Sequence, residues 1–218
     1  MNAENAANGA SEQAARRAME RSDLYGLLAA VFRREPTAEL LRQIREPGFA
    51  GALSAAGVSW DEGFLDRPEA ELVEALAVEY TGLFIGPGKH VPPYASVYLA
   101  GEHGELWGPS TARVKRFIEA AGFEYHDHYR DLPDHLSAEL EFMKHLAARE
   151  AQALDEADGE VAARCRKVGT EFLTAHMAVW IPEFCRCIDR DATLPFYREM
   201  AGLLADFIQS EAEWAPGA

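Results

Sequence analysis

Cysteine is scarce: three residues, Cys165, Cys185 and Cys187, in a chain of 218. An odd, sparse set makes no disulfide framework, so a reducing compartment is expected. Cys185 and Cys187 form C-x-C, not the C-x-x-C of redox or zinc sites. Positions two apart on a helix do not face each other, so buried thiols are the better reading. Basic residues are also in deficit, 21 Lys and Arg against 36 Asp and Glu, for a formal charge of −15. That excess repels nucleic-acid phosphate and anionic lipid, which makes both poor partners. It steers a cationic partner inward, although solubility alone accounts for it equally well.

Long hydrophobic runs are missing. The longest, Leu24 to Phe32, falls far short of the roughly 20 residues that span a bilayer, so no stable membrane insertion is expected. Met1 to Ala10 has no basic n-region and no apolar h-region. Arg16-Arg17 is an arginine pair, but Glu20, Arg21 and Asp23 follow where a leader needs apolar residues. Period-two alternation, internal repeats and low-complexity tracts are likewise absent.

Helical periodicity runs through nearly all of the chain. Leu24, Leu27, Leu28, Val31 and Phe32 recur at three-and-four spacing. Pro36-Thr37 starts a shorter helix through Leu40, Leu41 and Ile44, which Pro47-Gly48 stops. A Gly-rich connection follows, from Gly57 to Gly63. Asp66, Pro68 and Glu69 open a helix with Leu72, Leu76, Tyr80 and Leu83 inward, ending near Phe84. Ile85 to Tyr94 is dense in breakers and reads as an irregular loop. Pro109-Ser110 starts a helix that Gly122 stops. Pro133-Asp134 opens a long one with Leu136, Leu140, Met143 and Leu146 inward. After a polar break from Asp155 to Glu160, a helix with Phe172, His176, Trp180 and Phe184 is expected to kink at Pro182. The last helix uses Phe196, Met200, Leu203, Leu204, Phe207 and Ile208. The 48% apolar content supplies a sizeable core, and the class is all-α.

Three constellations could carry chemistry. Tyr80, Phe84, Tyr94, Tyr98 and Trp107 gather aromatics around one loop, and such loops present binding surfaces. By spacing alone, Tyr80 and Phe84 finish a core face, while the loop aromatics stay open. Asp134 and His135 stand at a helix start with Glu139 one turn beyond His135. A cap with a helix-surface His135–Glu139 pair is the plainer reading, since no nucleophile accompanies them. His126, Asp127, His128, His135, Glu141 and His145 could be assembled into a metal site. They lack H-E-x-x-H, however, and Glu141-x-x-x-His145 is not di-iron spacing. Scattered surface histidines are the plainer reading. The stretch from Gly82 to His90 superficially resembles a phosphate loop. It follows a helix, its first glycine is one residue too far away, and His90 replaces the magnesium-binding hydroxyl.

Three segments taken together resemble the TorD/DmsD family of redox-enzyme maturation chaperones, related to the NarJ group. The first is Glu79-Tyr80-Thr81-Gly82-Leu83-Phe84-Ile85-Gly86-Pro87-Gly88 with Pro92-Pro93-Tyr94-Ala95-Ser96-Val97-Tyr98. The second is Pro133-Asp134-His135-Leu136-Ser137-Ala138-Glu139-Leu140-Glu141-Phe142-Met143. The third runs from Phe172-Leu173 through His176, Trp180-Ile181-Pro182 and Phe184 to Phe196-Tyr197.

The resemblance implies a TorD-like all-helical fold of two halves joined near residues 126–134. Residues 1–20, which match nothing in the family, are expected to be a flexible tail and helix start. Residues 21–131 would form the N-terminal part with a binding loop over 85–108, and 132–218 the C-terminal part. It implies a cytoplasmic chaperone, not an enzyme, needing no cofactor. Such a chaperone binds the twin-arginine signal peptide of a molybdopterin-containing redox enzyme and holds the apo-form of that catalytic subunit until cofactor insertion, before export. Carried over residue by residue, the peptide site draws on Tyr80, Leu83, Phe84, Pro93, Tyr94, Ser96, Tyr98, Asp134, His135 and Glu139. Family members occur as monomers or as domain-swapped homodimers, with Asp131 to Asp134 the natural exchange hinge here. Tyr at 80, 94 and 98 replaces the Trp of some members, and Leu132 replaces a common acidic residue, so the subfamily and client stay open. The alternatives are a helical metal-dependent enzyme using the His126/His128/His135 region and, more remotely, a guanine-nucleotide binder.

Overall fold

The computed structural model describes residues 3–61, 63–86, 90–99, 106–125 and 131–213, with side chains from residue 9 onward. Ten α-helices follow one another among the described residues: α1 (Ala3–Arg33), α2 (Ala38–Arg45), α3 (Pro47–Ala55), α4 (Glu69–Tyr80), α5 (Ala95–Leu99), α6 (Pro109–Ala120), α7 (Leu136–Asp155), α8 (Gly159–Phe172), α9 (Ile181–Asp191) and α10 (Pro195–Glu213). Two π-helical turns, Thr81–Ile85 and Leu173–Met177, extend α4 and α8. The described residues hold no strand, only an isolated antiparallel bridge between Tyr94 and His135.

The most extensive packing is that of α1 along α7, so the two halves expected from the sequence share one core. The apolar faces read from the periodicity turn inward: Leu28, Val31, Phe32, Leu72, Leu76, Leu136, Leu140, Met143, Phe196 and Leu204 are buried. Two groups of aromatic rings pack within this core. One sets Phe84 among Phe32, Phe184 and Tyr197, with centroids 5.5 to 6.2 Å away. The other packs Phe142 against Phe172 at 4.7 Å and Phe123 at 5.1 Å. Edge-on and tilted pairs of this kind add attraction beyond their burial.

Two prolines act differently from expectation. Pro47 ends α2 but also begins α3, where a missing N–H costs nothing in the first turn. Pro182 does not kink a continuous helix. The chain leaves the second π-turn, breaks at Ala178 to Trp180, and restarts with Pro182 in the first turn of α9. All three cysteines are free thiols, Cys185 buried and the others half-buried.

A charged network inside the bundle carries no periodic signal. The Glu150 carboxylate on α7 is buried and accepts from Arg21 of α1 at 3.1 Å and from Arg166 of α8. Arg21 also reaches Glu211 of α10 at 2.8 Å, which in turn accepts from the Tyr25 hydroxyl at 3.2 Å. Burial works against the Arg21 charge. The Glu211 and Glu150 carboxylates outweigh it, and hold the guanidinium above its ordinary pKa. Glu150→Ala would remove the carboxylate that Arg21 and Arg166 share, and should cost about 2–3 kcal/mol in urea unfolding, below the full penalty of a wholly buried pair because Arg21 keeps Glu211. Breaking the exposed Arg16–Glu20 pair by Arg16→Ala should change stability by less than about 0.5 kcal/mol. Equal losses from the two variants would refute a structural role for the Glu150 network.

Candidate functional site

The sequence-derived site residues fall into two groups. Tyr80, Leu83 and Phe84 lie on the inner face of α4 and the first π-turn, and all three are buried. The Tyr80 hydroxyl donates to the carbonyl of Phe32 at 3.3 Å, and its ring lies 4.8 Å from that of Phe84. Burial, with Asp131 and Glu35 adding to it, pushes the Tyr80 phenol up to about 12. These residues complete the core, as their spacing implied. Tyr80 still edges a cavity of about 510 Å³ between the end of α1 and α4, with Pro36, Val73, Ala77 and Ile85 as further walls. Arg33, Arg34 and Glu35 stand at its α1 end, and Ile85 is 65% exposed.

The second group is held together by backbone. Pro93 to Ser96 runs antiparallel to Asp134 to Leu136: the Leu136 N–H donates to Pro93 O at 2.8 Å and the Ala95 N–H to Asp134 O at 3.0 Å. The breakers that exclude a long helix leave this stretch extended before α5 begins at Ala95. Asp134 then caps α5, not its own helix, since its Oδ2 accepts the Ser96 N–H at 2.8 Å. His135 is the N-cap of α7, with Nδ1 accepting the Ser137 N–H at 3.1 Å. An accepting Nδ1 assigns the neutral ring's proton to Nε2, which faces Asp131 Oδ2 at 3.8 Å. Burial holds the His135 pKa below the ordinary histidine value, although Asp131 and Asp134 pull the other way.

The expected His135–Glu139 pair does not form. Glu139 is wholly buried and accepts from Trp180 Nε1 at 3.1 Å. Burial lifts its pKa well above the carboxylate range and Asp134 adds to the rise, while the Trp180 bond opposes it. Around it, Ser96 Oγ, Asp134 Oδ1 and Glu139 Oε1 are buried without a hydrogen-bond partner among the described residues. Tyr94 and Tyr98 are half-buried over this cluster. Tyr94 donates to Asp131 Oδ1 at 2.9 Å and sets its ring edge-on to His135 at 4.9 Å. Tyr98 stacks on Trp180 at 5.4 Å. Trp107 stands apart, 72% exposed, at a left-handed φ of 67°.

Of the metal candidates, His126, Asp127 and His128 lie outside the described residues. His135 is committed as a cap, and Glu141 pairs with Arg33 at 2.5 Å. Among the described residues no three His, Cys, Asp or Glu side chains converge as metal ligands. Pro87, Gly88 and Lys89 of the loop compared with a phosphate loop also lie outside them. Among the described residues, no helix is long and apolar enough to cross a membrane.

One polar tie beside the site was not singled out by the sequence. Glu79 precedes Tyr80 and ties α4 to the start of α10: its Oε1 accepts the Thr193 N–H at 2.6 Å, the Thr193 hydroxyl at 3.0 Å and the Leu194 N–H at 2.6 Å. Its place at the head of the family-like segment was a signal, but an acid one position from an inward aromatic is too common to be given a role by spacing.

Comparison with known proteins places these features in context. A family model described as the nitrate reductase delta subunit matches residues 46–186. The chaperone protein TorD of Vibrio cholerae (strain M66-2) is 27% identical over 207 residues, covering 88% of this chain and 90% of that protein. The chaperone protein TorD of Photobacterium profundum is 26% identical over 211 residues, covering 91% and 95%. A solved structure described as a redox enzyme maturation protein from Archaeoglobus fulgidus superposes with a TM-score of 0.51 at 22% identity, covering 89% of this chain and 92% of the other.

The Glu139 carboxyl yields a pH test. Its folded pKa is raised, so the folded protein keeps a proton that the unfolded chain releases above about pH 4.3. Stability is therefore lost as pH rises from that value through the folded pKa. Glu139→Gln keeps an oxygen for Trp180 and has nothing to release. Its stability relative to wild type, from denaturant unfolding, should improve between pH 5 and pH 8. Parallel stability curves across that range would show that Glu139 is charged in the fold.

Proposed function

This chain belongs to the nitrate reductase delta subunit family, and from that premise we propose that it is a redox-enzyme maturation chaperone that binds the twin-arginine signal peptide of a molybdopterin-containing enzyme in the cytoplasm and holds the apo-enzyme before export. The coarser part of this reading, a maturation chaperone and not a catalyst, rests on TorD relatives aligned over most of the chain. A partner among redox-enzyme subunits follows from the same relatives.

The observation that carries the finer part is the apolar cavity beside Tyr80 on an otherwise acidic protein. A signal peptide has a cationic end and an apolar helix-forming segment. Pro36, Val73, Ala77 and Ile85 offer the second of these a wall that side chains already shape. The formal charge of −15 supplies attraction for the first.

The test is calorimetric titration of the full chain with a synthetic peptide of two arginines followed by a Leu- and Ala-rich segment. Binding should weaken as ionic strength rises, since salt screens the attraction beyond roughly 10 Å. Ile85→Glu, at an exposed position, should leave the melting temperature unchanged and reduce affinity by about tenfold, the loss of one apolar anchor. Absence of binding at low salt would overturn the peptide reading.

A further inference from the structure

A second cavity, of about 330 Å³, lies on the opposite flank of the same helix from the apolar one. It opens between the end of α4 and the α9–α10 junction, with Val78, Gly82, Leu83 and Val91 as apolar walls and Glu79 as its acid, since the other carboxylate there, Asp191, is already paired with Arg190 at 2.6 Å. Glu79 is only 8% exposed. Its Oε1 is saturated by three donors at the start of α10, yet its Oε2 is buried and has no hydrogen-bond partner. A buried carboxylate oxygen without a donor costs free energy that a guest donor would recover.

We infer that this cavity is a cation subsite that takes one arginine guanidinium of the bound peptide, with Glu79 Oε2 as the acceptor. The inference rests on the peptide-binding reading above. Four considerations select the guest. The volume is near the lower end of ligand cavities, roughly 300 to 1,000 Å³, so it suits one side chain better than a whole small molecule. The walls are apolar, and an arginine buries its methylene stem while presenting its charge at the tip. A guanidinium is less strongly hydrated than an ammonium, so it enters such a site at smaller cost. A metal ion would need several ligands, and among the described residues no such group exists.

The geometry also relates the two cavities. Val73, Ala77 and Tyr80 line one flank and Val78 and Gly82 the other, with Val78 70% exposed on the ridge. A helix with side chains is about 10–12 Å across. Passing over it from flank to flank follows about half its circumference, roughly 16–19 Å, which an extended peptide covers in about five or six residues. One peptide can therefore place an arginine in the acidic cavity and its apolar segment in the other.

Glu79→Gln isolates the charge. It keeps an amide oxygen to accept from Thr193 and Leu194, and puts an NH₂ where Oε2 was. Affinity for the arginine peptide should fall by about tenfold to a hundredfold, the range for a charged hydrogen bond, with a melting temperature close to wild type. A peptide with both arginines replaced by glutamine should bind wild type and Glu79→Gln equally. Val78→Lys, at an exposed position on the cavity wall, provides the check if Glu79→Gln misfolds: its amine should compete for Glu79 and weaken the arginine peptide only. Equal losses with both peptides, or no loss in either variant, would overturn the subsite and leave the peptide reading intact. Failure of wild type to bind the arginine peptide at all would remove both.

Discussion

Asp134 satisfies two amides of a helix to which it does not belong. Its carbonyl takes the Ala95 N–H and its carboxylate the Ser96 N–H, so the first turn of α5 is anchored on the residue just before α7. A helix of five residues cannot hold itself in water, because nucleation costs more than so few bonds return. The position of α5, and with it that of Tyr98 over Trp180, depends on this junction. The junction depends in turn on the Leu136 N–H reaching back to Pro93. Two segments about forty positions apart thus form one corner beside the core.

The corner is electrically expensive. Glu139 is enclosed with a single donor, and the uncharged form is favoured because no cation accompanies it. Glu150, about three turns further along the same helix, shows the opposite solution. There, two arginines neutralise the carboxylate and tie α1, α7 and α8. One helix thus carries a compensated acid where it holds the bundle together and an uncompensated one where the loop-borne α5 docks. Compensation goes with the helix contacts that hold the bundle, and its absence with the corner where α5 docks.

The fold was legible where burial follows period. Leu72, Leu76, Tyr80 and Leu83, or Leu136, Leu140 and Met143, declare their helices because a core face must repeat at three and four. The class and most helix bounds follow from that alone. Breakers were less legible, since a proline constrains only its own neighbourhood. Pro182 could bend a helix or begin one, and the choice was made by the π-turn ahead of it, which periodicity does not reveal. Pro47 was ambiguous in the same way. The site was legible as a set of residues but not as a set of partners. Asp134, His135 and Glu139 stand together in sequence, and local spacing offers His135 to Glu139. In the fold Asp134 is taken by Ser96 and Glu139 by Trp180, neither of which spacing brings near, while His135 caps the backbone of its own first turn.

Glu79 shows why such partners resist sequence reading and why they matter for function. Its two oxygens answer to different demands. Oε1 closes the start of α10, and that bond fixes the side chain so that Oε2 has little freedom to find solvent. A carboxylate free to rotate would gain little by binding a cation, since water already solvates it. One held in place by a structural bond has lost that water already, so part of the desolvation cost of a complex is met during folding. The same logic applies to the apolar flank, where Tyr80 is immobilised by its bond to Phe32 while its edge still faces a cavity. Preorganisation of this kind uses the stability of the core to sharpen recognition at its surface. It requires that the recognition residues be part of the core, which is why their spacing looks like packing.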